Sequence, residues 1–212
     1  MNIGPYTIDD YMHLVKSFHG NVAPGLIIGG FMVDLAMKNI PEGVLFDAIS
    51  ETSSCLPDAI QLLTPCTVGN GWLRVVNFGR YALCLYDKYQ GDGVRVFMDT
   101  KKLQDWPEIR DWFFKLKAKK DQDPAALRDH IIEAGTEILS LGRVHVDIAG
   151  LGKKGKGAIA TCPTCNEAYP ARDGSSCLAC QGGGPYDTSP EEQAQGPRPG
   201  LKVVTGTKAE KD

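Results

Sequence analysis

The sequence predicts an α+β protein in which an antiparallel sheet packs against helices and a small cysteine-rich module follows. Strand-like runs at 72–77, 81–87 and 93–98 are separated by short loops, a pattern typical of an antiparallel meander. The segments before and after these runs carry apolar residues at helical spacing. With 212 residues, 42% of them hydrophobic, the chain is long enough for a core domain and an appendage.

Two helices are predicted near the start of the chain. The first follows Thr7, a residue type that favours the N-cap position. Pro24 opens the second, and its sequence, GLIIGGFMVDLAMKNI, is apolar on all sides, which predicts a buried central helix. The loop from His19 to Ala23 therefore lies at the N-terminus of a buried helix.

The rest of the core is built from strands and amphipathic helices. Residues 44–50 predict a strand that leads into a short helix capped by Ser53 or Ser54. After the three central runs, an apolar stripe around Trp112 predicts a helix, and a strand at 143–149 ends a core domain of residues 1–149. Between the helix around Trp112 and this strand, a longer apolar stripe that follows Asp123-Pro124 predicts a last helix. Its apolar face consists of Leu127, Ile131, Ala134, Ile138 and Leu141.

The composition of the chain changes at Gly150. We expect a flexible basic linker at 150–159, a four-cysteine finger at 160–184 and a flexible tail at 185–212, which is rich in glycine, proline and polar residues. The strand-like stretch at 201–204 makes a partner subunit one candidate for ordering the tail.

The four cysteines of the finger carry the strongest chemical signal. In each C-x-x-C pair the chain turns so that two thiolates reach one ion at about 2.3 Å, and two pairs complete a tetrahedral site. Such a closed site stabilises a fold, and a module this small needs the metal to fold. We expect structural zinc, with a redox dithiol or iron ligation as alternatives. The ligands are Cys162, Cys165, Cys177 and Cys180.

Three residues of the core are candidates for chemistry, each with a structural alternative. Cys55 lies in the first turn of a predicted helix, where the helix dipole stabilises a thiolate, although free cysteines often only fill space. Cys66 lies in a polar, glycine-rich loop, where packing and function are equally open. His19 lies in a glycine-flanked loop, where an imidazole could bind a metal or move a proton.

Charge and hydropathy weigh against two classes of partner. A net charge of -3 argues against a protein built to neutralise nucleic-acid phosphates. The sequence Gly150–Gly157 resembles a phosphate-binding loop but lacks its final Ser or Thr, so a solvated linker is expected there. We expect no membrane partner, because no apolar stretch reaches the roughly 20 residues of a span, and a cytoplasmic location, because no signal peptide is evident.

Three segments followed by the finger resemble the FmdE family, which is named after a subunit of formylmethanofuran dehydrogenase. The segments are FHGNVAPG, ETSSCLPDAIQLLTPCTVGNG and NFGRYALCLYD, and the resemblance covers roughly residues 8–181. It implies an α+β core, a C-terminal zinc finger of the treble-clef type and a homodimer. It also implies association with the molybdenum or tungsten enzyme that reduces carbon dioxide onto methanofuran, and hence an oxidoreductase partner subunit.

The first motif of that family, H-G-H-x-C-P-G, is matched only in part. His19-Gly20 and Pro24-Gly25 agree with it, while Asn21 and Ala23 replace the second histidine and the cysteine. Three nitrogen and sulfur ligands with an open position would still suit a catalytic or transported metal. With Ala23 in place of cysteine, the cleft could instead bind an anion or a small molecule.

The resemblance implies a core site with two kinds of residue. The proposed ligands or catalytic groups are His19, Cys55 and Cys66. The surrounding polar groups are Asp58, Thr67, Asn70 and, at the rim, Arg80.

Three functions follow from these features. The first is a metal-binding accessory or interaction protein of molybdenum or tungsten one-carbon oxidoreductase metabolism, acting on a partner through finger and tail. The second is an enzyme for a small acyl or one-carbon substrate, with His19 as acid, base or ligand and Cys55 as ligand or nucleophile. The third is a carrier with an exchangeable metal or cofactor in the core cleft, beside an inert zinc.

Overall fold

The computed structural model describes residues 1–151 and 157–185, in two compact units. The first unit comprises Met1–Leu151, and the second begins at Gly152. The middle of the expected linker and the expected tail beyond residue 185, including the strand-like stretch at 201–204, lie outside the described residues.

The first unit opens with a small hairpin and two helices. They are β1 (Asn2–Ile3), β2 (Tyr6–Thr7), α1 (Ile8–His19) and α2 (Pro24–Met37). The predicted cap is confirmed, since Thr7 Oγ1 accepts a hydrogen bond of 3.2 Å from the backbone N–H of Asp10. Helix α1 ends at Gly20, whose φ of 88° is left-handed, a conformation that glycine adopts without strain. His19 is therefore the last helical residue and not, as expected, part of the loop.

Helix α2 is the buried central helix that the sequence predicts. Its single polar residue, Asp34, is only 6% exposed, and its carboxylate accepts hydrogen bonds from Gly4 N at 3.0 Å and Lys38 Nζ at 2.6 Å. A side chain at Gly29 would place its Cβ 2.8 Å from the Cβ of Ala59. The glycine therefore lets the next helix approach closely.

The middle of the chain supplies one helix and four strands. They are β3 (Phe46–Ser50), α3 (Leu56–Leu63), β4 (Leu73–Val75), β5 (Ala82–Asp87) and β6 (Asp92–Met98). The predicted N-cap of α3 is wrong, because Cys55 occupies that position and neither Ser53 nor Ser54 does. Cys55 has a φ of 55° and makes no capping hydrogen bond with its side chain.

The last part of the core contains two helices and a strand. They are α4 (Pro107–Phe113), α5 (Pro124–Ala134) and β7 (Leu139–His145), with short 3-10 turns at Lys102–Asp105 and Lys119–Asp121. Asp123 caps α5 as expected, accepting hydrogen bonds from two first-turn amides. The predicted stripe is too long, however, because Gly135, with a φ of 51°, ends the helix. Ile138 and Leu141 therefore lie beyond it, and the strand predicted at 143–149 begins at Leu139.

These strands form one five-stranded sheet in the order β4-β3-β5-β6-β7. The pairs from β3 through β5 and β6 to β7 are antiparallel, and the pair of β5 with β6 is part of the predicted meander. The predicted meander is wrong at β4, which pairs in parallel with β3, Ala48 beside Leu73. The reason is the connection through α3, because a crossover segment returns the chain in the same direction as the preceding strand.

The two faces of this sheet differ in what they pack against. Helix α2 packs against β5 and β6 on one face, where the neighbours Ala48, Leu85 and Val94 are fully buried. The opposite face carries Ile49 and Cys84, which are neighbours in the register. No single helix of the described residues is long and apolar enough to cross a membrane. Taken together, α1 and α2 have the length and composition that a span requires, but the chain bends by 119° between them.

The second unit contains a short antiparallel hairpin whose turn carries the first two finger cysteines. It is formed by β8 (Ile159–Thr161) and β9 (Ala168–Pro170), followed by a 3-10 turn at Ala171–Asp173 and a helical turn at Ala179–Gly183. The first cysteine pair lies in the turn of the hairpin, and the second lies after it.

Candidate functional site

The finger brings its cysteines to one point by tight backbone turns. In the first turn, Asn166 adopts a left-handed φ of 60°, and its N–H donates to the carbonyl of Cys162 at 2.9 Å. Cys162 in turn donates from its N–H to the carbonyl of Glu167 at 2.8 Å. These hydrogen bonds close the loop so that the two thiols of the first pair point the same way.

The four thiols fit one tetrahedral zinc ion. Their sulfur atoms all lie within 4.8 Å of one another, and the Sγ atoms of Cys165 and Cys177 are 3.8 Å apart. Four sulfurs at about 2.3 Å from a central ion would be separated by about 3.8 Å. Backbone amides also favour the thiolate form. The N–H of Cys177 donates to Cys162 Sγ at 3.4 Å, and such donors lower the pKa of Cys162 to about 6.

The finger site is closed. With four sulfurs as ligands, a tetrahedral zinc has no position left for water or substrate. Within residues 1–151 and 157–185, these cysteines are the only group of three or more His, Cys, Asp or Glu residues with ligand atoms this close together. His19, Cys55 and Cys66, which the family resemblance placed together, do not form such a group.

The core site is instead organised around a histidine and a carboxylate. Helix α1 places His19 at its last position, and Asp58 lies in the first turn of α3. His19 Nδ1 and Asp58 Oδ2 are 2.7 Å apart, with about a quarter to a third of each side chain exposed. A carboxylate on Nδ1 orients the ring and leaves Nε2 as the nitrogen available for a ligand or a proton.

Cys55 lies close to this pair but in an environment that opposes ionisation. A Cβ at Gly25 would be 3.2 Å from Cys55 Sγ, so only a glycine lets α2 approach the thiol this closely. Burial, and then the charge of Asp58, raise the pKa of Cys55. Of the two alternatives that the sequence left open for Cys55, this environment favours the neutral, space-filling thiol over a thiolate.

Cys66 and the residues after it serve the core and its loop. The thiol of Cys66 is fully buried and lies 3.5 Å from the carbonyl oxygen of Phe46. Asn70 Oδ1 accepts hydrogen bonds from the N–H of Thr67 at 3.1 Å and of Trp72 at 2.9 Å. The structure therefore shows Thr67 and Asn70 holding a tight turn by their own hydrogen bonds.

Arg80 is bound at another carboxylate. Its Nε lies 2.8 Å from Glu51 Oε2, and its guanidinium lies over the ring of Phe78 at 4.9 Å. Arg95 binds the same carboxylate through two nitrogens, at 2.6 and 2.9 Å. The hydrogen bonds of Arg80 thus tie it to the sheet through Glu51.

Two residues that the sequence patterns did not indicate complete the core site. Gln61 donates from Nε2 to Asp58 at 3.4 Å and accepts from the N–H of Val68 at 3.2 Å, which links the site to the following loop. Its spacing of three residues from Asp58 on one helix was the available signal. Tyr81 donates its hydroxyl hydrogen to the carbonyl of Gly25, a contact that no local pattern indicates.

Comparison with known proteins agrees with these features. A family model described as "FmdE, Molybdenum formylmethanofuran dehydrogenase operon" matches residues 18–145, and one described as "FmdE treble clef zinc finger" matches residues 153–187. The second match assigns the four-cysteine cluster to a structural zinc finger of the treble-clef type, as expected.

Two individual proteins illustrate the similarity. One is a tungsten formylmethanofuran dehydrogenase FmdE-like protein from Syntrophus aciditrophicus, whose crystal structure matches with a TM-score of 0.79 at 56% identity, covering 87% of this chain and 97% of that one. The other is a probable S-adenosyl-L-methionine-binding protein from Archaeoglobus fulgidus, 26% identical over 190 residues, covering 79% of this chain. The match covers 51% of that relative, so the chain spans about half its length.

The α+β core and the four-cysteine finger are thus matched separately, and the core match alone covers more than half of the chain. The resemblance in the sequence is confirmed, and this protein belongs to the FmdE family.

Proposed function

We propose that this protein is a zinc-stabilised accessory protein that works through a partner, a molybdenum- or tungsten-containing oxidoreductase of one-carbon metabolism. The observation that carries the proposal is the family match, whose description refers to the operon of a molybdenum formylmethanofuran dehydrogenase. The similar protein of known structure is named after a component of the tungsten enzyme.

The chemistry of the described residues supports an accessory role more than independent catalysis. The strongest ligand set is a closed site, which stabilises a module but offers no position for a substrate. The thiol of Cys55 has a raised pKa and is therefore a poor nucleophile at neutral pH. Neither property limits a protein that acts by binding.

The test is a pull-down from native cell extract with the tagged full chain as bait. We expect molybdenum or tungsten in the eluate, measured by inductively coupled plasma mass spectrometry, together with peptides of the corresponding oxidoreductase. A bait with Cys162→Ser and Cys177→Ser, which removes the finger site, serves as the matched control and should recover less of both. An eluate without either metal would contradict the proposed partner.

A second candidate function is catalysis or metal binding at the core site. The short contact between His19 Nδ1 and Asp58 Oδ2 favours it, because an oriented imidazole suits an acid, a base or a ligand. Metal content per chain separates the two candidates. Under the accessory proposal, wild type and a His19→Ala, Cys55→Ser variant both hold one zinc. A second metal that only the variant loses would favour the core site.

A third candidate is a carrier of a cofactor. The relative described as a probable S-adenosyl-L-methionine-binding protein makes that molecule the first ligand to test. Equilibrium dialysis against labelled S-adenosyl-L-methionine measures it directly. Saturable binding that His19→Ala weakens would favour the carrier, whereas no binding at millimolar ligand would exclude this cofactor.

We also propose a homodimer that acts in the cytoplasm. The sheet face opposite α2 supports the dimer, since it is apolar around Ile49 and Val144 and carries Phe78, which is 61% exposed. The seven cysteines all lie within the described residues and no disulfide joins any two of them, which suits a reducing compartment. Light scattering of wild type and Phe78→Asp tests the interface, and a variant that keeps the dimer mass would place it elsewhere.

A further inference from the structure

A groove of about 620 Å³ lies between the end of α4 and the start of α5. Small-molecule sites commonly have volumes of roughly 300 to 1,000 Å³. The groove belongs wholly to the first unit and has no part in the proposed partner contact through the finger. It is lined by Pro24, Trp112, Phe113, Lys115, Lys117, Ala118, Lys119, Gln122, Pro124 and Leu127.

The walls of the groove are apolar and fixed in place. Trp112 and Phe113 are neighbours at the end of α4, with their ring centroids 6.2 Å apart. Phe113 also packs edge to face on Tyr81 at 6.2 Å, and Leu127 of α5 is only 5% exposed. Rings held by such contacts offer a flat apolar surface that needs little ordering when a ligand binds.

The rim of the groove is positively charged. Three lysines line it, and no aspartate or glutamate does. Lys117 is paired with Asp111 at 3.0 Å, whereas Lys115 and Lys119 have no carboxylate partner within the described residues of either unit. Two ammonium groups at one apolar groove, in a chain with a net charge of -3, complement a ligand that carries an anionic group.

Lys115 occupies an unusual backbone position. It follows the C-cap of α4 and has a left-handed φ of 55°, a place where glycine is the least strained residue. Its N–H donates to the carbonyl of Trp112 at 3.2 Å, so the same turn that holds the lysine also holds the aromatic wall. The turn therefore fixes the backbone from which Lys115 extends relative to Trp112.

The groove also lies beside the core site. Pro24 lines it and directly precedes Gly25, the residue next to Cys55 Sγ. Tyr81 contacts Phe113 with its ring and Gly25 with its hydroxyl. The groove and the core site therefore share the start of α2 and Tyr81 as neighbours.

We propose that this groove binds a small organic anion, with an apolar, preferably aromatic body against Trp112 and Leu127 and a carboxylate or phosphate group on Lys115 and Lys119. The inference is independent of the accessory role, because it concerns a surface of the core unit alone. It assigns a ligand class to residues outside the finger and outside the histidine-centred site.

The experiment compares an anionic probe with its neutral counterpart on the full chain. The probes are 8-anilinonaphthalene-1-sulfonate and N-phenyl-1-naphthylamine, which share the aromatic body but differ in the sulfonate. The test variant is Lys115→Gly with Lys119→Ala, and its backbone is not at risk because glycine relieves the left-handed position. The matched control is Lys101→Ala with Lys120→Ala, which makes the same change in net charge at two exposed lysines outside the groove.

We expect the sulfonate probe to bind wild type and control at one saturable site and to bind the test variant about tenfold more weakly, the size of a charge-assisted contact. The neutral probe should bind all three proteins equally and more weakly than the sulfonate binds wild type. Raising the salt to about 0.5 M should bring the wild-type affinity for the sulfonate close to that of the variant. Displacement by 1-naphthyl phosphate and by 1-naphthoate then identifies the preferred anionic group.

Three results would overturn the proposal. Equal affinity of wild type and test variant for the sulfonate probe would place its binding elsewhere. Equal affinity of wild type for the charged and neutral probes would remove the role of the lysines. A change in the mass of the test variant by light scattering would make the groove an interface between copies of the chain instead of a ligand site.

Discussion

Cys55 shows how the surroundings of one residue decide what its side chain can do. Its position at the start of α3 would favour a thiolate through the helix dipole. Its burial against Gly25 and the nearby carboxylate of Asp58 act in the other direction and raise its pKa. His19 is paired with the same carboxylate, so Asp58 both orients the imidazole and suppresses ionisation of the thiol.

Alkylation of Cys55 should therefore be slow at neutral pH. Because only the thiolate reacts, and because burial and the charge of Asp58 raise the pKa of Cys55, its labelling by iodoacetamide should be slower than that of an ordinary thiol and should keep rising with pH until the thiol is ionised. Asp58→Asn removes one of the two causes, so labelling at pH 8 should become severalfold faster. Peptide mass spectrometry of the zinc-loaded protein measures the rate, with N-acetylcysteine as the reference. Labelling of wild type at pH 7 as fast as the reference would refute the environment described here.

At the scale of elements, α2 and the sheet carry the architecture. Helix α2 meets α3 at Gly29 and the sheet at β5 and β6, so it is covered on all sides. On the other face of the sheet, Glu51 accepts hydrogen bonds from Arg95 and Arg80 and is only 6% exposed. The contact of α2 with α3 depends on the lack of a side chain at Gly29. The burial of Glu51 depends on its two arginine partners.

Gly29→Ala should destabilise the protein in spite of the better helix propensity of alanine. The new Cβ would meet that of Ala59 at 2.8 Å, and overpacking typically costs about 1 to 3 kcal/mol, against about 1 kcal/mol gained in propensity. Urea denaturation followed by circular dichroism measures the free energy of unfolding. Gly142→Ala, where a Cβ has no neighbour within 4 Å, is the control. A more stable Gly29→Ala variant would mean that α2 and α3 separate at little cost.

Glu51 should make the stability of the protein depend on pH in the acid range. Its hydrogen bonds with Arg95 lower its pKa in the folded state below 4.5, the ordinary value. A carboxyl with a lowered pKa contributes stability above the ordinary value and loses it as the pH falls through the folded pKa. The midpoint of urea unfolding should therefore fall as the pH drops below about 4.5.

In Glu51→Gln that pH dependence should be smaller, and the variant should be less stable than wild type at pH 7 by about 1 to 3 kcal/mol, because two partly exposed arginines lose a charged partner. Glu133→Gln, on the exposed side of α5, controls for the loss of one negative charge. The same acid dependence in Glu51→Gln as in wild type would show that another carboxyl is responsible.

At the scale of the whole molecule, the chain consists of a core that buries its own apolar residues and a finger that depends on a metal. The core cluster joins side chains from both helices and sheet of the first unit. In the second unit, Cys162 and Tyr169 are the only buried hydrophobic residues among those described between 157 and 185. A module with so little apolar burial requires its four thiolate bonds to zinc.

A chain that ends at Leu151 should therefore fold without the finger. We expect a melting temperature within a few degrees of the full chain and no bound zinc, against one zinc per full chain, measured by circular dichroism and elemental analysis. The full chain with Cys162→Ser and Cys165→Ser should behave like the truncated one. An unfolded truncation product would show that the core packs against residues beyond 151.

Sequence alone determined the features that depend on local chemistry. The cysteine spacing predicted the zinc site, Thr7 and Asp123 predicted two helix starts, and the all-round apolar run predicted the buried helix, because each signal is contained within a few neighbouring residues. Tertiary structure decided what depends on distant pairing. It put β4 parallel to β3, bound Arg80 to Glu51, left Cys66 in the core and paired His19 with Asp58. Such contacts join residues far apart in the chain, where their free energy depends on burial and mutual approach that no local pattern encodes.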